Sequence, residues 1–260
     1  MSAEHQELCL NCNNPINHKF CSHCGQPTAT ERMRFGRLFT SEFVQNVFNI
    51  ESGFLRTCMH IVWRPGHMIN DYLQGQRKSY FHFASFLIIL LAIEVVLWSN
   101  GVNTPAEMMF YQITNSNVDG ASKGVTLEGI ETALKQQKLL FLFGIPIAAL
   151  VPWLLLRKMR LSLAEHSVAI AFLLSMNTLL GFILGIIGLL PLSFETYRTV
   201  YLPISFAVLF LDFRLYWQFT RPAEYSLIGR ALRVILTTAW IQFFIGVMLN
   251  LVMRINSLGS

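Results

Sequence analysis

Five stretches of this chain are too apolar and too long to sit on the surface of a water-soluble protein. Residues 81–98 read FHFASFLIILLAIEVVLW, and further runs follow at 139–156, 167–190, 199–217 and 234–253. At about 1.5 Å of helical rise per residue, some 20 apolar residues cross a hydrocarbon layer roughly 30 Å thick. Composition agrees, with 53% apolar and 13% charged residues, where soluble domains carry about 25% charge. The fourth run is the weakest, because Asp212 and Arg214 shorten it, whereas Trp98 ends the first run where an interfacial aromatic belongs. The expected fold is an all-α polytopic membrane protein of about five transmembrane helices spanning residues 81–253. A loop near residues 99–138 reads as polar turns.

Lys and Arg set the orientation. Eight precede the first run, Arg157, Lys158 and Arg160 lie between the second and third, and Arg214, Arg221, Arg230 and Arg233 cluster between the fourth and fifth. With the N-terminus inside, these 15 are cytoplasmic and five, Lys123, Lys135, Lys138, Arg198 and Arg254, lie outside, as the positive-inside rule requires. The expected address is the cytoplasmic (inner) membrane. The first residues, MSAEHQELCLNCNN, lack the basic segment and apolar core of a signal peptide, so no cleavage is expected.

Residues 1–28 are polar and too few to bury a core, yet they hold four of the five cysteines, as Cys9-x-x-Cys12 and Cys21-x-x-Cys24-Gly25. Two Cys-x-x-Cys turns can present four thiolates to one ion, which points to a closed, structural zinc ribbon with no open coordination position. Two disulfides, a redox pair and an iron site remain as alternatives. His18 and His23 are read as exposed loop residues, and Cys58 as a packing residue.

Residues 29–80 are intermediate in character. Phe35, Leu38, Phe39, Phe43, Val47 and Phe48 recur at helical spacing among polar residues, the pattern of an amphipathic helix on a membrane surface or on the ends of the bundle. Arg64, Arg77 and Lys78 are candidates for holding lipid headgroups. His60, His67, His82 and Asp71 share the region without the spacing of a catalytic metal motif.

The ribbon ending FCSHCGQ, the segment SGFLRTCMHIVWRPGHMINDYLQGQRKSYF and the triplet Ala164-Glu165-His166 together resemble a bacterial domain-of-unknown-function family of zinc-ribbon, multi-pass membrane proteins. The resemblance runs from Cys9 to about Tyr201, carried mostly by Arg64-Pro65-Gly66, Tyr72-Leu73-x-Gly75-x-Arg77 and Ala164-Glu165-His166. It departs after Tyr80, where this chain has Phe81-His82-Phe83 and the family more often has a nearby proline. The resemblance implies architecture and a membrane address, and brings no established activity.

Four polar residues form a candidate membrane site. Glu94 lies inside the first run, Glu165 and His166 stand at the mouth of the third, and Asn177 lies near its middle. Ser162-x-x-Glu165 also reads as a helix capping box, and Gly181-x-x-x-Gly185-x-x-Gly188 as a close-packing stripe, leaving oligomerisation open. No Walker loop, dinucleotide fingerprint or nucleophile elbow is present, and with eight Lys/Arg against six Asp/Glu the first 80 residues are no nucleic-acid-binding surface. The leading expectation is a noncatalytic scaffold or accessory protein whose ribbon docks a cytoplasmic protein partner and whose helices contact membrane lipids. The alternative is a transporter or lipid-handling protein.

Overall fold

The computed structural model describes residues 8–16, 18–28, 32–33, 53–99, 103–115 and 126–258. The amphipathic segment expected over Phe35–Phe48 lies outside them. Among the described residues there is no strand, and two isolated antiparallel bridges, Leu8 with Pro15 and Phe20 with Pro27, lie in the cysteine module. The described helices are α1 (Phe54–Trp63), α2 (Pro65–Leu73), α3 (Phe83–Ser99), α4 (Pro105–Thr114), α5 (Leu127–Ala148), α6 (Leu150–Leu155), α7 (Leu163–Gly188), α8 (Phe194–Phe219) and α9 (Leu227–Leu258).

Three helices are long and apolar enough to cross a membrane: α7, α8 and the Leu227–Arg254 part of α9. A fourth crossing is made if Leu127–Gln137 and Leu140–Leu155, bent by 55°, count as one broken span, while the apolar stretch Phe83–Trp98 is shorter than these. The expected five spans therefore correspond to three full-length helices, one bent pair and one short helix. The loop expected near 99–138 is not all turn. Thr104 accepts from the Glu107 N–H while Glu107 reaches back to the Thr104 N–H, and this capping box, with Pro105 in the first turn, starts α4.

Helix α7 is the axis of the bundle. It carries no Lys or Arg, and Val168, Ala169, Ile170, Phe172, Leu173 and Met176 are fully buried. The outer helices turn large apolar side chains outward, Phe206 at 69% and Phe210 at 66% exposure on α8 and Phe243 at 63% on α9. A soluble protein rarely shows such a contiguous surface; a bilayer covers it.

The glycine stripe packs within the chain. A Cβ at Gly181 would stand 2.7 Å from Glu94 Oε1, at Gly185 3.2 Å from Leu97 Cβ, and at Gly188 2.2 Å from the Asn103 carbonyl oxygen. Helix α3 and Asn103 thus lie directly on α7.

One end of the bundle is sewn together by side chains that donate to helix C-terminal carbonyls. Asn70 Nδ2 donates to Phe219 O at 3.1 Å and Arg233 Nε to Leu155 O at 3.1 Å, while Arg214 donates to Val62 O and Trp63 O and Arg230 to Trp217 O. A cation is favourable there, where the helix dipole is negative. The C-terminal ends of α1, α6 and α8 and the start of α9 thus gather at one end of the bundle. At the opposite end, Asn103 bonds to Gly188 O and Leu192 O, and Arg198 to the Tyr111 hydroxyl.

Candidate metal centre and intramembrane polar cluster

The cysteine module is one eight-residue knuckle used twice, twelve positions apart: Leu8-Cys9-x-x-Cys12-Asn13-x-Pro15 and Phe20-Cys21-x-x-Cys24-Gly25-x-Pro27. In each, the first cysteine's N–H donates to the carbonyl five residues on, Cys9 to Asn14 at 2.9 Å and Cys21 to Gln26 at 2.8 Å. In each, the residue after the second cysteine is left-handed, Asn13 at φ 58 and Gly25 at φ 71, a conformation that Gly and Asn tolerate best. The knuckles face each other and bring the four sulfurs within 4.8 Å of one another.

Cys9 and Cys24 sulfurs are 3.6 Å apart, as are those of Cys12 and Cys21. Those distances are far longer than the roughly 2.04 Å of a disulfide. They approach the edge, about 3.8 Å, of a tetrahedron built on Zn–S bonds of about 2.3 Å. The donor set fits a metal ion with four sulfur ligands. The Asn14 backbone N–H lowers Cys12 to about 6, and the Cys24 and His23 N–H groups lower Cys21, while burial raises Cys24 to about 11. Thiols packed this closely ionise together only around a cation. His18 and His23 are exposed, apart from the sulfur cluster. Cys58 packs against the apolar core, where burial raises its thiol above the usual range.

The module is fastened to the turn before α3. Gln26 is buried; its Nε2 donates to Gly75 O at 2.8 Å and its Oε1 accepts from Lys78 N at 3.2 Å. Asn11 Oδ1 accepts from Ser79 N at 3.1 Å. Gly75, at φ 111, lies so close to Leu10 that a Cβ would stand 2.8 Å from Leu10 Cδ1. Nothing in the sequence singled out Gln26 or Asn11.

Just beyond the module, Arg32 clasps Glu165 with Nε to Oε1 at 3.1 Å and Nη2 to Oε2 at 2.8 Å, and also donates to Arg160 O at 2.7 Å. Glu165 at the same time closes the capping box of α7 with Ser162. Its neighbour His166 is buried beside the Phe219 ring, with no hydrogen-bond partner at either ring nitrogen.

The four residues grouped from sequence as a membrane site do not converge. Asn177 is twelve positions along α7 from Glu165, about 18 Å of helix at roughly 1.5 Å per residue. Glu94 lies over Gly181 instead. Asn177 has a different partner: its Nδ2 lies 3.4 Å from Asp212 Oδ2 on α8, which also accepts from Gln242 Nε2 on α9 at 2.8 Å. Asp212 is 1% exposed, and its Oδ1 and the Asn177 Oδ1 have no partner. A carboxylate inside an apolar run is itself a signal; its two partners come from helices distant in sequence.

Of the three headgroup candidates, Arg64 pairs with Asp71, the Lys78 backbone serves Gln26, and Arg77 lines a cleft at the sewn end. Among the grouped histidines, His60 meets Asp71 through the Tyr80 hydroxyl, at 3.1 Å to His60 Nδ1 and 3.2 Å to Asp71 Oδ2. Burial and the neighbouring arginines lower His60, while burial and Asp71 raise Tyr80.

These features define a helical membrane protein with a four-cysteine cluster able to hold a metal ion. Residues 51–94, which contain α1, α2 and most of α3, match a family model described as Protein of unknown function (DUF3667). Comparison with curated proteins and with solved structures gives no match.

Proposed function

We propose that this chain is a noncatalytic scaffold or accessory protein of the cytoplasmic (inner) membrane of a bacterial cell. It crosses the bilayer five times with its N-terminus in the cytoplasm, and its module is a zinc ribbon that holds a cytoplasmic protein. The observation that carries this reading is the asymmetry of the module. Gln26, Asn11 and Leu10 fasten it to the bundle, while Leu8 and Phe20, equivalent residues of the two knuckles, stay 53% and 59% exposed. A tetrathiolate zinc centre carries a formal charge of about −2, and Lys19 is the single Lys, Arg, Asp or Glu between Leu8 and Thr28. That field repels a phosphate backbone, so the partner is a protein rather than a nucleic acid. The distribution of Lys and Arg supports the orientation, and the gathered segment ends support the alternating path.

The test is a Leu8→Ser/Phe20→Ser variant compared with the parent after extraction in mild detergent. The reading expects equal zinc in both and a native complex larger than the single chain in the parent alone. Complexes of equal size would overturn it.

A second reading, a transporter or lipid-handling protein, draws on the Asp212 cluster, because a carboxylate shared by three helices is costly inside a membrane. It expects fluorescent-lipid movement across reconstituted vesicles that is lost in Asp212→Asn. Movement no faster than in empty vesicles removes it.

A further inference from the structure

Asp212 stands where α7, α8 and α9 meet, the three helices long and apolar enough to cross a membrane. Its donors are the amides Asn177 Nδ2 and Gln242 Nε2, and both go to Oδ2. The buried Asp212 Oδ1 and Asn177 Oδ1 are left without a partner. Each of these oxygens shares a carbon with an atom of the Asn177–Asp212 hydrogen bond, so the two stand beside that bond, one from each side chain. An amide oxygen and an ionised carboxylate oxygen only accept. Amide N–H groups do not neutralise a carboxylate, and a buried one is costly unless a positive charge joins it.

Among the described residues no charge of the protein does so. On α8 itself, Arg214 donates to Val62 O and Trp63 O, and Tyr216, one turn beyond Asp212, has a buried hydroxyl without a partner. Helix α7 carries no Lys or Arg; its Glu165 and His166 lie at least eleven positions before Asn177, about 16 Å of helix. Glu94 of α3, over Gly181, is another acid. On α9, Arg230 donates to Trp217 O and Arg233 to Leu155 O, while Arg254 is twelve positions beyond Gln242. On α2, which packs against α8, Asp71 pairs with Arg64, and His67 feels Arg64, Asp71, Arg221 and Arg230.

We propose that Asp212 and Asn177 bind a hard monovalent cation, a proton or a sodium ion, between α7 and α8. A proton held on Asp212 Oδ1 supplies the donor that the acceptor Asn177 Oδ1 lacks; sodium takes the same two oxygens as ligands, as hard cations do. Gln242 steadies the carboxylate from α9. Binding there requires no solute to cross the bundle, so the site does not fall with the transport reading of Asp212.

The test uses the purified full chain in neutral detergent. Thermal unfolding is followed at fixed pH while sodium chloride replaces choline chloride at constant ionic strength, and the carboxyl infrared absorption is recorded at neutral pH without sodium. Sodium binding is expected to raise the Tm of the parent, because a ligand of the native state stabilises it, and not that of Asp212→Asn. Proton binding instead shows as a protonated-carboxyl band in the sodium-free parent that Asp212→Asn removes. Asn177→Leu keeps the carboxyl and takes away one of the two oxygens. In it the half-saturating sodium concentration should rise about tenfold or more, or the protonated-carboxyl band should shift in frequency. A parent Tm indifferent to sodium, together with no protonated-carboxyl band that Asp212→Asn removes, overturns the site, and so does a response that Asn177→Leu leaves unchanged.

Discussion

The amide of Gln26 bridges Gly75 O and Lys78 N, at 2.8 and 3.2 Å, so that one buried side chain joins the second knuckle to the turn before α3. Removing it leaves a buried carbonyl without its donor, which costs about 1–3 kcal/mol. Gln26→Ala should therefore lower the Tm of the detergent-solubilised protein by several degrees while metal content, measured by atomic emission, stays at the parent level. Loss of metal together with stability would show that Gln26 serves the knuckle and not its attachment.

The metal should be zinc at one per chain, absent from a Cys9→Ser/Cys12→Ser variant. Folding free energies of small zinc modules run to about 10 kcal/mol or more, so stripping the ion with a chelator should unfold the module and expose residues 8–28 to protease. Colourless protein with zinc is the expected outcome; visible colour with iron would replace the assignment.

Two glycine substitutions should act in opposite directions. A Cβ at Gly188 would meet the Asn103 carbonyl at 2.2 Å, whereas one at Gly246 would meet nothing within 4 Å. Gly188→Ala should destabilise by about 1–3 kcal/mol through overpacking, and Gly246→Ala should be neutral or stabilising by up to about 1 kcal/mol through helix propensity. Thermal unfolding of the two variants side by side decides it.

Much of the architecture was legible because it depends on local patterns. The long apolar helices follow from apolar runs, the four-cysteine cluster from two Cys-x-x-Cys turns, and the start of α7 from Ser162 and Glu165. What escaped reading was long-range. Arg214, Arg230 and Arg233 could be counted as cytoplasmic charge, yet nothing local says that they close helix ends. Asp212 could be seen to interrupt a run, but its amides come from α7 and α9, 35 and 30 positions away. The capping box of α4 lies within the loop near residues 99–138 that reads as polar turns, although Thr104 and Glu107 hold the helix-start spacing.

The seam at the sewn end has an evolutionary corollary. Its acceptors are main-chain carbonyls: Gly75 for Gln26, Phe219 for Asn70, Trp63 for Arg214, Leu155 for Arg233. A carbonyl is offered by every residue type, so the accepting positions are free to drift while the donors stay. Correlated substitution between homologues, which reveals contacts by tracking pairs that change together, is blind to a join of this kind. The donors alone would stand out, as conserved arginines and amides with no visible counterpart.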